Sequence, residues 1–295
     1  MHFITFLKNK QTNVGIVESK DTLIDLSFYS PEIPNDLNQI IELNFFEKIL
    51  NIRKNPKSES VINTKDVKIL APIPVPRRDI MCVGLNYHDH AKEFQRSGYD
   101  MNTSKKATPD NPIIFTKATT SVIGLGESIP SKNDPTNTTD YEGELGLIIG
   151  KRSRNIKKSD AYNIIFGYTI INDVTARDLQ SLHKQWFLGK SPDGFCPMGP
   201  AVVTADEIQD VTKLKLTTTI NGEVRQNAVV SDLIFDIPTL IETITSTMTL
   251  IPGDIIATGT PVGVGIGFNP PKFMKKGDKV TVAISQIGEL TNQIS

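Results

Sequence analysis

The segment 140–150, DYEGELGLIIG, comes nearest to declaring a chemistry. Read as a strand over 140–149, its side chains alternate between faces, so Asp140, Glu142 and Glu144 project to one side. Like charges that close repel one another. The arrangement is tolerable when it is solvated, protonated or neutralised by a cation. A further carboxylate, Asp173, ends the apolar run GYTIIND, where a strand would deliver it to a sheet edge or barrel mouth. Carboxylates with no cysteine or histidine beside them form a hard, oxygen-only ligand set. Such a set selects Mg²⁺ or Mn²⁺, accommodates Ca²⁺ and disfavours zinc. Taken alone, E-x-E is also the common pattern of a solvated strand face. Asp173 and the surrounding segments favour a metal site.

Other residues could act beside such a metal. His90 and Glu93 lie three apart in NYHDHAKE, one helical turn, so their side chains can meet. A carboxylate that accepts a hydrogen bond from an imidazole fixes its tautomer and makes the other nitrogen a better base. His88 competes for the role, but its offset of five from Glu93 suits a helix less well. The polar stretch 94–111, FQRSGYDMNTSKKATPDN, has no periodicity and reads either as a mobile lid or as an ordinary surface loop. Arg177 and Gln180 are three apart, so one helical face could present both to a carboxylate and a carbonyl. Lys117 follows the run PIIFT, and Lys190 sits in FLGKSPDG before a turn. Each lysine has solvation as its ordinary alternative.

Elements of regular structure must hold these groups. Short apolar runs rich in Ile, Val and Thr recur after Asp79: IMCVGL, PIIFTKA, LGLIIG, IIFGYTIIND, GPAVV, KLTTTING, DIIATGTP and KVTVAIS. They predict strands, with helices only around 88–96, 175–187 and 236–248. The chain is therefore expected to be mainly β with an α+β character, as barrel or curled sheets. Before Asp79, strands are predicted at 3–7, 13–18 and 22–27, and a helix at 36–52. The charged stretch 53–66 reads as a linker. This divides the chain into a small amino-terminal domain, 1–72, and a larger domain, 73–295. Hydrophobic content of 38% and charged content of 22% suit a soluble globular chain. A formal net charge of -1 offers no broad basic field for nucleic acid. The two cysteines, Cys82 and Cys196, form no disulfide framework. No signal-peptide core or membrane-length apolar run is visible, so a cytoplasmic location is expected.

Six ordered motifs together resemble the core of the fumarylacetoacetate hydrolase superfamily. They are CVGLNYHDHAKE (82–93), PIIFTK (112–117), DYEGELGLIIGK (140–151), GYTIINDVTARDLQ (167–180), GKSPDGFCPMGP (189–200) and GDIIATGTPVGVG (253–265). The resemblance spans about 75–295, and residues 1–72 look like the extra domain of some bacterial members. It implies the superfamily's mixed β-sandwich roll, a homodimer, and metal ligands at Glu142, Glu144 and Asp173. It also implies that His90 and Glu93 activate water in hydrolytic members, that Lys117 and Lys190 line the site, and that Thr260 contacts a substrate carboxylate. Leu85 departs from the pattern, since many of the hydrolases carry arginine or lysine there. Asp140 is a further carboxylate for which neither reading gives a role. The implied substrate is a small 2-oxo acid held at Mg²⁺ or Mn²⁺. Decarboxylation of oxaloacetate leads, followed by acylpyruvate hydrolysis and by isomerisation of a 2-hydroxydienoate, all on one ligand set. Outside enzymes, a metal-binding interaction module is the alternative.

Overall fold

The computed structural model describes residues 1–99 and 106–295. The fold is the mixed sandwich the strand-rich sequence calls for. One long sheet runs, in order, through Val61–Asn63, Thr22–Asp25, Gln11–Val17, His2–Lys8, Cys196–Thr204, Ile165–Asn172, Gly143–Ile149, Ile255–Ala257, Ile80–Gly84 and Ile113–Lys117. A second sheet orders Glu223–Val229, Lys215–Ile220, Lys279–Ile284, Gly288–Ile294 and Ser128–Ile129.

Alternation along the Gly143–Ile149 strand builds the core on both of its faces. Leu145, Leu147 and Ile149 pack with Leu216, Val282 and Leu290 of the second sheet and with Leu240, Ile241 and Ile244 of the helix Ile237–Thr247. Ile148 faces the other way, into a cluster with Ile171, Cys82, Cys196 and the amino-terminal Leu37, Ile40 and Ile49. Each fully buried Leu or Ile of this kind contributes about 1.5–3 kcal/mol of transfer free energy. At Gly143 an added Cβ would collide with Thr218 of the facing sheet. That is a steric reason for glycine between two glutamates. Cys82 and Cys196 are both buried and free.

The amino-terminal strands lie at His2–Lys8, Gln11–Val17 and Thr22–Asp25, and the first pairs with Cys196–Thr204. The helix expected over 36–52 is interrupted. It forms Leu37–Glu42 and Phe46–Lys54, with Asn44 between them at φ 54°, the left-handed conformation asparagine tolerates. The stretch read as linker holds the short strand Val61–Asn63, which pairs with Thr22–Asp25. The expected helix 175–187 likewise divides into Arg177–Leu182 and Phe187–Lys190, with Lys184 at φ 59° between them. The helices His88–Arg96 and Ile237–Thr247 lie where periodicity puts them. Asp236 caps the second through Thr239 N, with Pro238 in its first turn.

Candidate metal and catalytic site

Strand register assembles the acids. Gly143 pairs with Asn172 and Glu144 with Ile171, so the residues just beyond the ladder, Glu142 and Asp173, come side by side. Asp173 N donates to Glu142 O at 2.8 Å, and Glu142 N donates to Asn172 Oδ1 at 3.0 Å. Glu142, Glu144 and Asp173 each offer an oxygen within 4.8 Å of the others, and all three side chains are buried. The continuous strand over 140–149 does not form. Asp140 instead belongs to a separate pair, Thr139–Asp140 with Thr175–Ala176, because the chain leaves the long sheet before Gly143. Asp140 therefore stands outside the cluster. It accepts from Arg177 Nε at 2.9 Å, Gly265 N at 2.6 Å and Ile266 N at 3.1 Å. It anchors an arginine and a glycine-rich turn.

Three fixed cations surround the acids. Lys190 Nζ bridges Glu142 Oε2 at 2.8 Å and Asp173 Oδ2 at 2.7 Å. Arg177 Nη1 lies 2.6 Å from Glu142 Oε1. Lys117 Nζ lies 2.7 Å from Asp173 Oδ1 in an ion pair without hydrogen-bond alignment, its protons going to the carbonyls of Val174 and Lys190. Burial works against the Glu142 carboxylate, but Lys190 and Arg177 outweigh it and hold its pKa at about 2. Among the described residues Glu144 makes no such ion pair. Burial, reinforced by Asp173 and Glu142, pushes its pKa well above the carboxylate range, with Gly259 N donating at 2.8 Å as partial relief.

These residues fit a divalent cation. With Glu144 protonated, Asp140, Glu142 and Asp173 balance Lys117, Arg177 and Lys190; a cation that displaces the Glu144 proton would meet four negative charges against three positive ones, −1 for the cluster with the His90–Glu93 pair aside. A 2+ ion takes that to +1, which an anionic substrate then offsets. The oxygen-only donors suit Mg²⁺ or Mn²⁺.

The other expected residues gather at one small cavity of ≈ 10 Å³, lined by His90, Glu142, Arg177, Gln180, Lys190 and Thr260 with apolar Leu85, Phe94, Phe115 and Trp186. His90 Nδ1 meets Glu93 Oε2 at 3.1 Å within the helix His88–Arg96. Gly263 N holds the Glu93 carboxylate at 3.0 and 3.2 Å. His88 is exposed and lines neither this cavity nor the cleft behind Glu93. Arg177 Nη2 is buried and unpartnered, a donor left over for a ligand, while Gln180 Oε1 accepts from Arg177 Nη1 at 3.2 Å and orients it. Thr260 Oγ1 donates to Gly143 O at 3.0 Å and accepts from Gln226 Nε2 at 2.8 Å. Its hydroxyl proton is thus directed into the backbone of the Glu142–Glu144 segment rather than into the cavity. The loop 94–111 lies partly outside the described residues. A far wider cleft, ≈ 740 Å³, opens elsewhere beside Ile41, Phe46 and Phe166 and holds none of the acids, so size does not locate this chemistry.

Two buried amides carry positioning roles that motif reading passes over. Gln226 also donates to Pro261 O at 2.8 Å and accepts from Gly143 N at 3.0 Å, tying Gly143 to the GTP turn. Asn86 donates to Thr258 O at 2.8 Å and accepts from Phe235 N at 2.8 Å, fixing the loop ahead of the dyad helix. Asn86 gives only a lone amide between Leu85 and Tyr87 as a signal, and Gln226, between Arg225 and Asn227, gives none.

The chain belongs to the fumarylacetoacetate hydrolase family: residues 79–295 match the model of the fumarylacetoacetate (FAA) hydrolase C-terminal region. It is 44% identical to the oxaloacetate tautomerase YisK of Bacillus subtilis (strain 168), over 100% of both chains. It also resembles the fumarylacetoacetate hydrolase structure from psychrophilic Exiguobacterium antarcticum, at 38% identity, TM-score 0.84, and coverage of 100% of this chain and 99% of that one. A maleylpyruvate hydrolase from Sphingobium sp. SYK-6, solved with manganese (II) and pyruvate, matches at 28% identity, TM-score 0.78, over 100% and 98%. These relatives are enzymes, and they carry hydrolase and tautomerase activities on one fold.

Proposed function

We propose that this protein is a divalent-cation-dependent enzyme that moves a proton beside the carbonyl of a small 2-oxo acid, with enol–keto tautomerisation of oxaloacetate as its reaction. The observation that carries this reading is the placement of one acid–base group, His90 braced by Glu93, on the same small cavity as Glu142, Lys190 and Arg177. A cation held by Glu142, Glu144 and Asp173 supplies a Lewis acid to the 2-oxo acid. Arg177 Nη2 binds a substrate carboxylate, and Lys190 offsets the negative charge that grows on the substrate oxygen. His90 takes or returns the proton at the adjacent carbon, with Glu93 fixing its tautomer. The apolar wall of Leu85, Phe94, Phe115 and Trp186 excludes water and strengthens each of these interactions.

Tautomerisation is preferred to hydrolysis because it needs only an acid–base group at the carbon beside the carbonyl and no second reactant. The likeness to a full-length oxaloacetate tautomerase supports the same choice. Oxaloacetate decarboxylation stays as the second reading, because it needs only the electron sink and the Lys190 charge. A homodimer acting on a small molecule, with no nucleic-acid or membrane partner, completes the proposal. Among the described residues no helix is long and apolar enough to cross a membrane.

The test is to mix the enol form of oxaloacetate with the Mg²⁺-loaded protein and follow the enol absorbance and pyruvate together. Faster enol loss without pyruvate supports the tautomerase. Pyruvate appearing in step with enol loss replaces it with decarboxylation, and no acceleration of either refutes both.

A further inference from the structure

Two consecutive residues ahead of Glu142 hold the same glycine-rich turn. Asp140 accepts from Gly265 N at 2.6 Å and from Ile266 N at 3.1 Å, and Tyr141 Oη donates to Gly263 O at 2.8 Å. The turn holds the dyad, because Gly263 N donates to both oxygens of Glu93, at 3.0 and 3.2 Å. Gly263 therefore carries Tyr141 on its carbonyl and Glu93 on its amide. Glycine is required there, since φ is 107° and an added Cβ would collide with the carbonyl oxygen of Arg225. A residue without a side chain takes its orientation from its backbone hydrogen bonds. The Tyr141 ring is fixed by packing, fully buried with Val174, Ala176 and Phe195.

We propose that Tyr141 is a positioning residue for the reaction: through Gly263 its hydroxyl sets the place of the Glu93 carboxylate, and so the tautomer of His90, against the acids that follow it in the chain. This rests on His90 acting on a substrate proton, as in the function proposed above. The contacts run without a break, from Tyr141 Oη to Gly263 O, from Gly263 N to Glu93, and from Glu93 Oε2 to His90 Nδ1 at 3.1 Å. A carboxylate that accepts from Nδ1–H keeps the proton there and leaves Nε2 as the base. A carboxylate that swings away lets the Nε2–H tautomer form, and part of the base is lost. Tyr141 precedes Glu142 by one residue, so the segment that presents a metal-ligand candidate also places the acid–base group. Asp140 grips the same turn but is also committed to Arg177 Nε at 2.9 Å, so Tyr141 is the contact that can be removed without freeing the arginine. A hydroxyl that only satisfied the Gly263 carbonyl would lower stability and leave the tautomer of His90 where it was.

The experiment uses the full chain loaded with Mg²⁺, with the enol of oxaloacetate as substrate and ¹⁵N-histidine NMR on the same samples. The chain has 4 histidines, and the His90 signals are assigned by their loss in His90→Ala. Tyr141→Phe removes the hydroxyl and keeps the ring. Its kcat is expected to fall about 10-fold to 10²-fold with KM and Mn²⁺ affinity parental. The His90 signals are expected to change from the Nδ1–H form to a mixture of both tautomers. In the His90→Ala background the same substitution is expected to cost nothing further, since both act through one base. Ile244→Val, a core substitution in the helix Ile237–Thr247, controls for lost stability and is expected to keep the parental tautomer and kcat. A parental kcat in Tyr141→Phe overturns the proposal, as does an undiminished loss in the His90→Ala background. Mn²⁺ affinity that falls in step with kcat also overturns it, by placing the effect on Glu142. If His90→Ala itself leaves turnover at the parental rate, the acid–base role in the proposed function fails and the tautomer alone decides the coupling. Mixed forms in Tyr141→Phe then sustain it, and an unchanged spectrum overturns it.

Discussion

Lys190 is the residue whose replacement best separates a cation site from an ordinary buried ion network. Its ammonium is 2% exposed and makes two ion pairs, at 2.8 Å to Glu142 and 2.7 Å to Asp173, both of them metal-ligand candidates. Lys190→Met removes the charge and keeps most of the volume. Breaking a buried pair by deleting one partner typically costs about 3–5 kcal/mol, because the other charge is left uncompensated. At roughly 1.5–2 °C per kcal/mol for a chain of 295 residues, the metal-free variant should melt roughly 5–10 °C below the parent. Mg²⁺ or Mn²⁺ offers the same carboxylates another counter-charge, and in the variant it no longer competes with an ammonium. Each tenfold gain in cation affinity adds about 1.4 kcal/mol at a fixed metal concentration. The gap in melting temperature should therefore shrink by half or more when metal is present. Turnover should not recover with it, since loss of one preorganised charge at a reacting oxygen lowers the rate by about 10²–10³. Scanning calorimetry with and without metal, beside the enol assay on the same samples, checks both arms. A gap that metal leaves unchanged would refute the idea that Lys190 and a cation share these carboxylates. Unchanged turnover would remove Lys190 from the chemistry.

Glu144→Gln should raise the melting temperature of the metal-free protein, by up to about 1–4 kcal/mol of stability, because it deletes a buried carboxylate without a cationic partner. The same variant should bind Mn²⁺ at least about 10-fold more weakly by calorimetry, and unaltered affinity would exclude Glu144 as a ligand. His90→Ala should slow tautomerisation and any acylpyruvate hydrolysis by about 10²–10⁴-fold while part of any oxaloacetate decarboxylation survives. Equal loss of every activity with metal binding intact would make His90 a substrate-positioning group. Gln226→Met leaves Gly143 N and Pro261 O without their partner. It should cost at least about 1–3 kcal/mol and raise KM, and a variant with parental stability and KM would show that the GTP turn holds itself.

The sequence makes the acids legible because their spacing follows from the strand period and their chemistry from oxygen donors alone. What it cannot supply is the register between strands. The pairing of Gly143 with Asn172 brings Glu142 to Asp173, and it depends on long-range contacts that no local pattern encodes. Asp140 shows the cost of extending periodicity too far. The alternation over 140–149 is regular on paper, yet the chain departs at Tyr141 and gives Asp140 to Arg177 and the turn at Gly265. The helix over 36–52 fails in the same way, since its apolar spacing carries through Asn44 while the backbone turns there. Strands and the dyad helix are legible because burial agrees with local propensity, and in Ile237–Thr247 the Asp236 cap agrees as well.

The charge balance connects these local facts to the reaction. A buried cluster of acids is stable only if its counter-charges are built in or recruited, and this one has both arrangements at once. Lys117, Lys190 and Arg177 neutralise Glu142 and Asp173, but Glu144 is left with a backbone N–H. A fourth fixed cation at Glu144 would have made the cluster self-sufficient and closed it to metal. Left short, Glu144 is held protonated by burial and would carry its charge only beside an added cation. On the function proposed above, the +1 left by a bound divalent cation would draw a 2-oxo acid to the position where Arg177 Nη2 is unpartnered and His90 faces the cavity. Leu85→Arg, adding a cation and bulk at the apolar wall of this cavity, should weaken cation binding by raising the interior charge and should block substrate entry. A variant with parental Mn²⁺ affinity and parental turnover would show that neither charge balance nor cavity size governs this site.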